Sequence, residues 1–185
     1  MITILCSLVI ATAPPNYGVN NVNPEGLTQI MSTYRHGHTP ETVQHIIASV
    51  ITAGRVNNVD PVFLLAVAFT ESRWQLGAVG DGGSSHGPWQ MCYSAARNIL
   101  PERRRQVLAA LHKWESAAFI AAAYWAYLRR KYKSRSDVVY NCGPSRCGRG
   151  SNMMRSTRVT RSYWRNYRRF KRMIPNTPAV SVTSQ

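Results

Sequence analysis

With 185 residues, 44% of them apolar, the chain suits one compact domain with a real core, which excludes wholesale disorder. Its 23 Lys and Arg against 8 Asp and Glu give a net charge of +15, which points to polyanionic partners: nucleic acid, anionic lipid surfaces or acidic wall polymers. No stretch is long and apolar enough to span a membrane.

Residues 1–13 are a short hydrophobic segment ending in Ala11-Thr12-Ala13, a small-residue triplet of the kind found at export cleavage sites. No Lys or Arg precedes it and Pro14 follows directly, so a cleaved signal and a buried N-terminal segment stand as equal expectations. Residues 14–38 form a lead-in rich in Asn, Pro and Gly, with one short helix expected around Ile30, Met31 and Tyr34. Thr39 then reads as an N-cap with Pro40 at the first helical position, and Val43, Ile46, Ile47, Val50 and Ile51 fall on one face up to a stop at Gly54. Asp60-Pro61 repeats the start signal for an almost wholly apolar helix, buried nearly all round, that ends at Glu71-Ser72.

The glycine-rich run Gly80-Asp81-Gly82-Gly83-Ser84-Ser85-His86-Gly87 follows, a place for a small hairpin. A short helix is expected over Ser94 to Leu100. Another starts at Pro101 with Val107, Leu108 and Leu111 as its stripe, and a long Ala/aromatic one runs from Trp114 to Tyr132. Ser136 or Asp137 caps a helix containing Tyr140 and Asn141. The last helix spans about Thr157 to Met173, with Tyr163, Tyr167, Phe170 and Ile174 on one face and Arg161, Arg165, Arg168, Arg169 and Arg172 largely elsewhere. The fold class is mainly α, with residues 39–174 as the domain and 175–185 as a flexible tail.

Cys6, Cys92, Cys142 and Cys147 allow few pairings; Cys142 and Cys147 bracket a short loop and are close enough in sequence to pair. His36 and His38 lack further ligands at metal-site spacing and read as solvated loop residues.

The scarcity of acids makes elimination informative. Glu25 lies in the lead-in, Glu41 and Glu102 sit in first turns, Asp60 and Asp137 read as caps, and Glu115 lies near a helix start. Glu71 and Asp81 remain. Glu71 ends an apolar helix, where the dipole and partial desolvation both raise a carboxyl pKa, as a general acid near neutral pH requires. Arg73 pulls the other way, and a plain surface Glu in the last turn stays open on position alone.

Glu71-Ser72, the Gly-rich stretch, Gly87-Pro88-Trp89-Gln90-Met91, Tyr140-Asn141-Cys142-Gly143 and Thr160-Arg161-Ser162-Tyr163 occur in an order that resembles the lysozyme-like soluble lytic transglycosylase family. That family carries a Glu-Ser pair ending a buried helix, a Gly-Leu-Met-Gln motif, an Ala-Tyr-Asn-x-Gly motif and a late Tyr. The resemblance covers about residues 40–173. It implies a lysozyme-like fold, peptidoglycan glycan strands as substrate, and no metal or organic cofactor. Glu71 would be the catalytic acid/base and Ser72 would help orient it. Gln90, Tyr140 and Asn141 would line the sugar groove, and Tyr163 would hydrogen-bond at or near the acid. The implied product is a 1,6-anhydromuramoyl end, formed without water.

The sequence departs from the family in two places. Gly-Leu-Met-Gln becomes Gly-Pro-Trp-Gln, which brings in a stiff residue and a large stacking ring. The Gly80-Asp81-Gly82-Gly83 string is similar to goose-type lysozymes, hydrolases in which an Asp across the cleft activates water for an inverting attack. The second Asp of those lysozymes is absent, and Cys92 stands there. Asp81 as a mere turn cap is favoured over Asp81 as second carboxylate, so a transglycosylase leads and a hydrolase follows.

A rival of another class is a basic nucleic-acid-binding protein, with the aromatics between the C-terminal arginines as base-stacking groups. Their one-face spacing instead favours core packing, and no specific nucleic-acid motif is present. The arginines would then form a solvated face attracted to anionic wall polymers. A substrate outside the cytoplasm implies an extracytoplasmic protein: secreted, exported by a lysis system, or carried by a phage particle.

Overall fold

A computed structural model describes residues 23–34, 37–133, 136–143 and 150–174, with backbone alone for residues 142 and 150–157. The 1–13 segment, the start of the lead-in, His36, the Cys142–Cys147 pairing and the 175–185 tail therefore lie outside the described residues or side chains.

Helix α1 (Pro24–Tyr34) opens with Asn23, whose Oδ1 accepts from the Gly26 N–H at 3.1 Å. Its Leu27, Ile30 and Met31 are buried and join the main core. Helix α2 (Pro40–Asn57) begins where the sequence places it: the Thr39 hydroxyl accepts from the Thr42 N–H at 3.3 Å, and Pro40 needs no donor there. Its predicted stop at Gly54 is wrong. The helix runs on to Asn57 and ends on Asn58 in the left-handed conformation. Gly54 serves close packing: a Cβ there would stand 2.5 Å from the Val59 carbonyl oxygen and 2.9 Å from the Pro61 ring.

Helix α3 (Pro61–Ser72) is capped by Asp60, which accepts from the Val62 N–H at 2.8 Å. Every residue from Pro61 to Phe69 is buried, so α3 is the central helix of the bundle. Three two-residue strands follow in place of a single hairpin: β1 (Val79–Gly80), β2 (Ser85–His86) and β3 (Met91–Cys92), antiparallel in that order. Val79 pairs with His86 and His86 with Met91.

Helix α4 (Tyr93–Arg97) is shorter than expected, and α5 (Arg104–Leu111) starts three residues after Pro101. The Glu102 N–H is taken by the Leu100 carbonyl in a tight turn, so Glu102 precedes the helix and does not sit in its first turn. Helix α6 (Trp114–Tyr132) matches the expected span. Helix α7 (Ser136–Cys142) has both Ser136 and Asp137 in its first turn, so neither stands ahead of it as a cap. Helix α8 (Gly150–Met173) begins earlier than expected.

The main packings are α2 on α6, α3 on α8, and α7 against both α6 and α8. On α8, Tyr163 and Phe170 are fully buried while Arg161, Arg165, Arg168, Arg169 and Arg172 are exposed. These two aromatics belong to the core and are not offered to bases. No helix among the described residues is long and apolar enough to cross a membrane.

Candidate active site

The end of α3 is where the central apolar helix meets water. Glu71 sits there half-buried, two residues beyond Phe69, the last enclosed residue of the helix. Loss of hydration is the largest influence on its carboxyl, and the negative charge of Asp81 adds to it. Hydrogen bonds from Tyr163 and Asn141 act the other way, and the balance leaves the pKa pushed up to about 7. Arg73 does not oppose this; its guanidinium lies 4.1 Å from the centre of the Phe69 ring.

The partners of Glu71 come from distant parts of the chain. The Tyr163 hydroxyl of α8 donates to Glu71 Oε1. Asn141 of α7 donates from Nδ2 to the Tyr163 oxygen at 3.4 Å. Burial first, then the facing Glu71 charge, holds the Tyr163 phenol well above its ordinary range, so it remains a neutral donor. Tyr140 is likewise held neutral by burial, and its hydroxyl donates to the Trp89 carbonyl at 3.1 Å, tying α7 to the turn before β3.

Beside this cluster lies a cleft of about 660 Å³. Asp81, Gln90, Tyr140 and Asn141 line it, together with Ser84, Ser85 and His86 from the Gly-rich loop and β2. Glu71 is not among the lining residues; it is joined to the cleft through Asn141 by a hydrogen bond and through Asp81 by charge. Gln90 takes a positive φ of 45°, and its Nε2 donates to the Gly87 carbonyl at 2.9 Å and the Ala78 carbonyl at 3.3 Å. A Cβ at Gly80 would stand 2.3 Å from the Gln90 Oε1, so glycine makes room for that amide.

Asp81 is exposed, with φ 48°, and its Oδ2 accepts from the Ser85 hydroxyl at 2.8 Å. It thus bridges its own turn and also faces the cleft. Ser72 is placed differently from its expected role. Its hydroxyl donates to the Pro88 carbonyl at 2.8 Å and accepts from the Gln75 N–H at 3.1 Å, so it clamps the loop to the helix end and makes no bond to Glu71. Trp89 is no exposed stacking ring: it is 2% exposed, with Nε1 donating to the Leu64 carbonyl at 3.0 Å.

The cleft also has a wall that the sequence did not announce, built by Tyr93, Ser94, Ala95 and Asn98 of the α4 region, Arg104 at the start of α5, and Tyr124 of α6. None of these belongs to a recognisable motif, and no local signal could have marked them. A second cavity of about 610 Å³, lined by Asp60, Phe63, Trp125, Asp137 and Trp164 among others, shares no lining residue with the cleft. It holds none of the expected site residues.

A carboxyl that is protonated near neutral pH, beside an open groove lined by polar and aromatic side chains, can act as a proton donor to a bound polymer. The model of the transglycosylase SLT domain matches residues 48–158, more than half of the chain. Glu71, Ser72, Asp81, Gln90, Tyr140 and Asn141 fall inside the matched span, and Tyr163 lies just beyond it. No curated protein matches the chain.

Proposed function

We propose that this chain, which belongs to the transglycosylase SLT family of peptidoglycan-cleaving proteins, cuts the β-1,4 bond between N-acetylmuramic acid and N-acetylglucosamine with Glu71 as its one acid/base. The observation that carries the reading is the Glu71 carboxyl, pushed up to about 7 by burial and placed against Tyr163 beside the cleft. A departing sugar oxygen is a poor leaving group until it is protonated, and this carboxyl holds the proton at the pH where it is needed.

In the proposed sequence Glu71 gives its proton to the bridging oxygen as the bond to the muramic C1 breaks. The muramic acetamido oxygen stabilises the cation at C1. The Tyr163 hydroxyl bond, which favours the ionised carboxylate, now strengthens and holds the newly charged Glu71. That carboxylate then takes the proton of the sugar's own 6-hydroxyl as its oxygen closes on C1. The product is a 1,6-anhydromuramoyl end, and Glu71 is protonated again. Tyr140, Asn141 and Gln90 hold the strand in the cleft, while Ser72 acts at one remove by fixing the Pro88 turn.

A second reading is an inverting hydrolase in which Asp81 activates water. It is favoured by the position of Asp81 on the cleft wall and by the effect of its charge on Glu71. Mass spectrometry of sugars released from purified peptidoglycan separates the two, since anhydro ends are lighter than reducing ends by one water. Reducing ends would overturn the transglycosylase reading, and wild-type clearance by Glu71→Gln would overturn both.

A peptidoglycan substrate supports an extracytoplasmic protein, whether secreted, exported by a lysis system or carried on a phage particle. The exposed arginines of α8 then face anionic wall polymers, an attraction that added salt weakens.

A further inference from the structure

Glycan cleavage leaves the second cavity, of about 610 Å³, without a use, yet the helices that build the cleft build it too. On α6, Tyr124 lines the cleft and Trp125 the second cavity; on α7, Tyr140 and Asn141 line the cleft and Asp137 the second cavity. On α8, Tyr163 reaches Glu71, and Trp164, next in the chain, lines the second cavity. Successive helical residues point about 100° apart, so one helix can furnish both. Trp164 is 38% exposed, the one exposed aromatic side chain among the described residues. Its ring is nonetheless held in place. Nε1 donates to Asp137 Oδ2 at 2.9 Å, and the ring packs against Phe63 at 5.1 Å and edge-on to Tyr167 at 5.7 Å. A side chain fixed in this way loses little freedom when a ligand settles on it.

The chemistry of the lining selects the ligand. Asp60 and Asp137 place two carboxylates beside these aromatics. Carboxylates accept from hydroxyl and amide groups and repel phosphates, which disfavours a nucleic-acid backbone even with Arg129 and Lys133 in the same lining. A pyranose ring has the complementary form, an apolar C–H face to lie on an indole and a rim of hydroxyls to meet carboxylates, and an acetamido group adds an N–H. We propose that this cavity is a second, non-cleaving glycan site, which takes acetamido sugars of the wall polymer on Trp164 and holds the protein to the polymer while the cleft works. The choice of that polymer rests on the peptidoglycan reading of the cleft. Two contacts on one polymer raise the effective concentration of strand at the cleft.

The test titrates an N-acetylglucosamine tetramer into the full chain while tryptophan emission is followed. Trp74, Trp89, Trp114 and Trp125 are buried and no tryptophan lines the cleft, so a saturable blue shift reports on Trp164 and should vanish in Trp164→Ala. In a Glu71→Gln background, which prevents cutting, adding Trp164→Ala should raise the Kd for sedimented peptidoglycan about 3- to 10-fold, the scale of one aromatic stacking contact. Trp164→Phe should recover part of that loss. On short soluble fragments kcat/KM of Trp164→Ala should match wild type, and a drop as large as the loss of binding would make the effect structural and overturn the site. No shift with the tetramer, an unchanged Kd for Trp164→Ala, or a shift with a single-stranded DNA oligomer alone would also overturn it. A wild type that shows the sugar shift but cuts no peptidoglycan would sink the proposed function and leave the sugar site standing.

Discussion

The hydroxyl of Tyr163 donates to the carboxylate of Glu71 across 92 residues of chain, joining the last helix to the end of the central one. The two are brought together by the packing of α8 along α3, in which Tyr163 and Phe170 of α8 are fully buried. The bond favours the charged carboxylate, whereas burial and the Asp81 charge favour the neutral acid. Glu71 is therefore poised between the two states that an acid/base must visit.

With Glu71 at about 7, the active protonated form is lost as pH rises through that value, so kcat/KM should fall on an alkaline limb near pH 7. Tyr163→Phe removes a bond that lowers this pKa. The limb should move to higher pH while kcat falls about 10- to 100-fold, because the carboxylate formed in the reaction loses its donor. A pH–rate profile of the variant checks both, and a limb that stays put would argue against the coupling.

Asp81→Asn removes a charge that raises the Glu71 pKa, so the same limb should shift to lower pH. Under the transglycosylase reading, turnover at the pH optimum should stay within about 10-fold of wild type, since Asp81 takes no proton. A loss of about 1,000-fold or more in a clearance assay would hand Asp81 the role of the water-activating base.

The raised carboxyl also has a consequence for stability. A native-state pKa of about 7 against the ordinary carboxyl value of 4.5 means that the folded protein holds the proton more tightly than the unfolded chain. The stability this contributes is complete below about pH 4.5 and is lost as pH rises through about 7. Glu71→Gln stays neutral throughout. It should match wild type at pH 4 and exceed it at pH 8, by on the order of 1–3 kcal/mol. Paired urea melts at the two pH values measure this, and a variant destabilised at pH 8 would count against a desolvated Glu71.

Gly87 joins the small sheet to the end of α5. Its φ is +72°, and a Cβ there would stand 2.0 Å from the Leu111 carbonyl oxygen, a backbone atom that cannot swing aside. Gly87→Ala should destabilise the fold by at least about 3 kcal/mol, since strain and overlap act together. Gly82, at φ +63° with nothing within 4 Å of its Cβ, isolates the strain. There the same substitution should cost about 1 kcal/mol in denaturant melts.

Much of the architecture was legible locally. The Thr39-Pro40 and Asp60-Pro61 starts are decided within three residues, by a side-chain oxygen meeting an early N–H, and both caps form as read. The apolar run from Val62 to Phe69, opened by the Asp60-Pro61 start, read as a helix buried nearly all round, and it is one. Stops were less readable. Gly54 looked like a terminator because glycine often is one, but its reason is the Val59 carbonyl packed against it. Pro101 looked like a helix start, but the Leu100–Glu102 turn comes first.

The sequence narrowed eight acids to Glu71 and Asp81, with Glu71 the better candidate at the end of an apolar helix, and it carried the motifs that mark the family. Tertiary structure decided the rest: that Tyr163 reaches Glu71, that Ser72 bonds Pro88, that Trp89 is buried, and that Arg104 stands in the cleft. Caps and periodicity involve neighbours a few residues apart and so leave a mark in the sequence. A carboxyl's hydration and its hydrogen-bond partners depend on helices that meet only after the chain has folded.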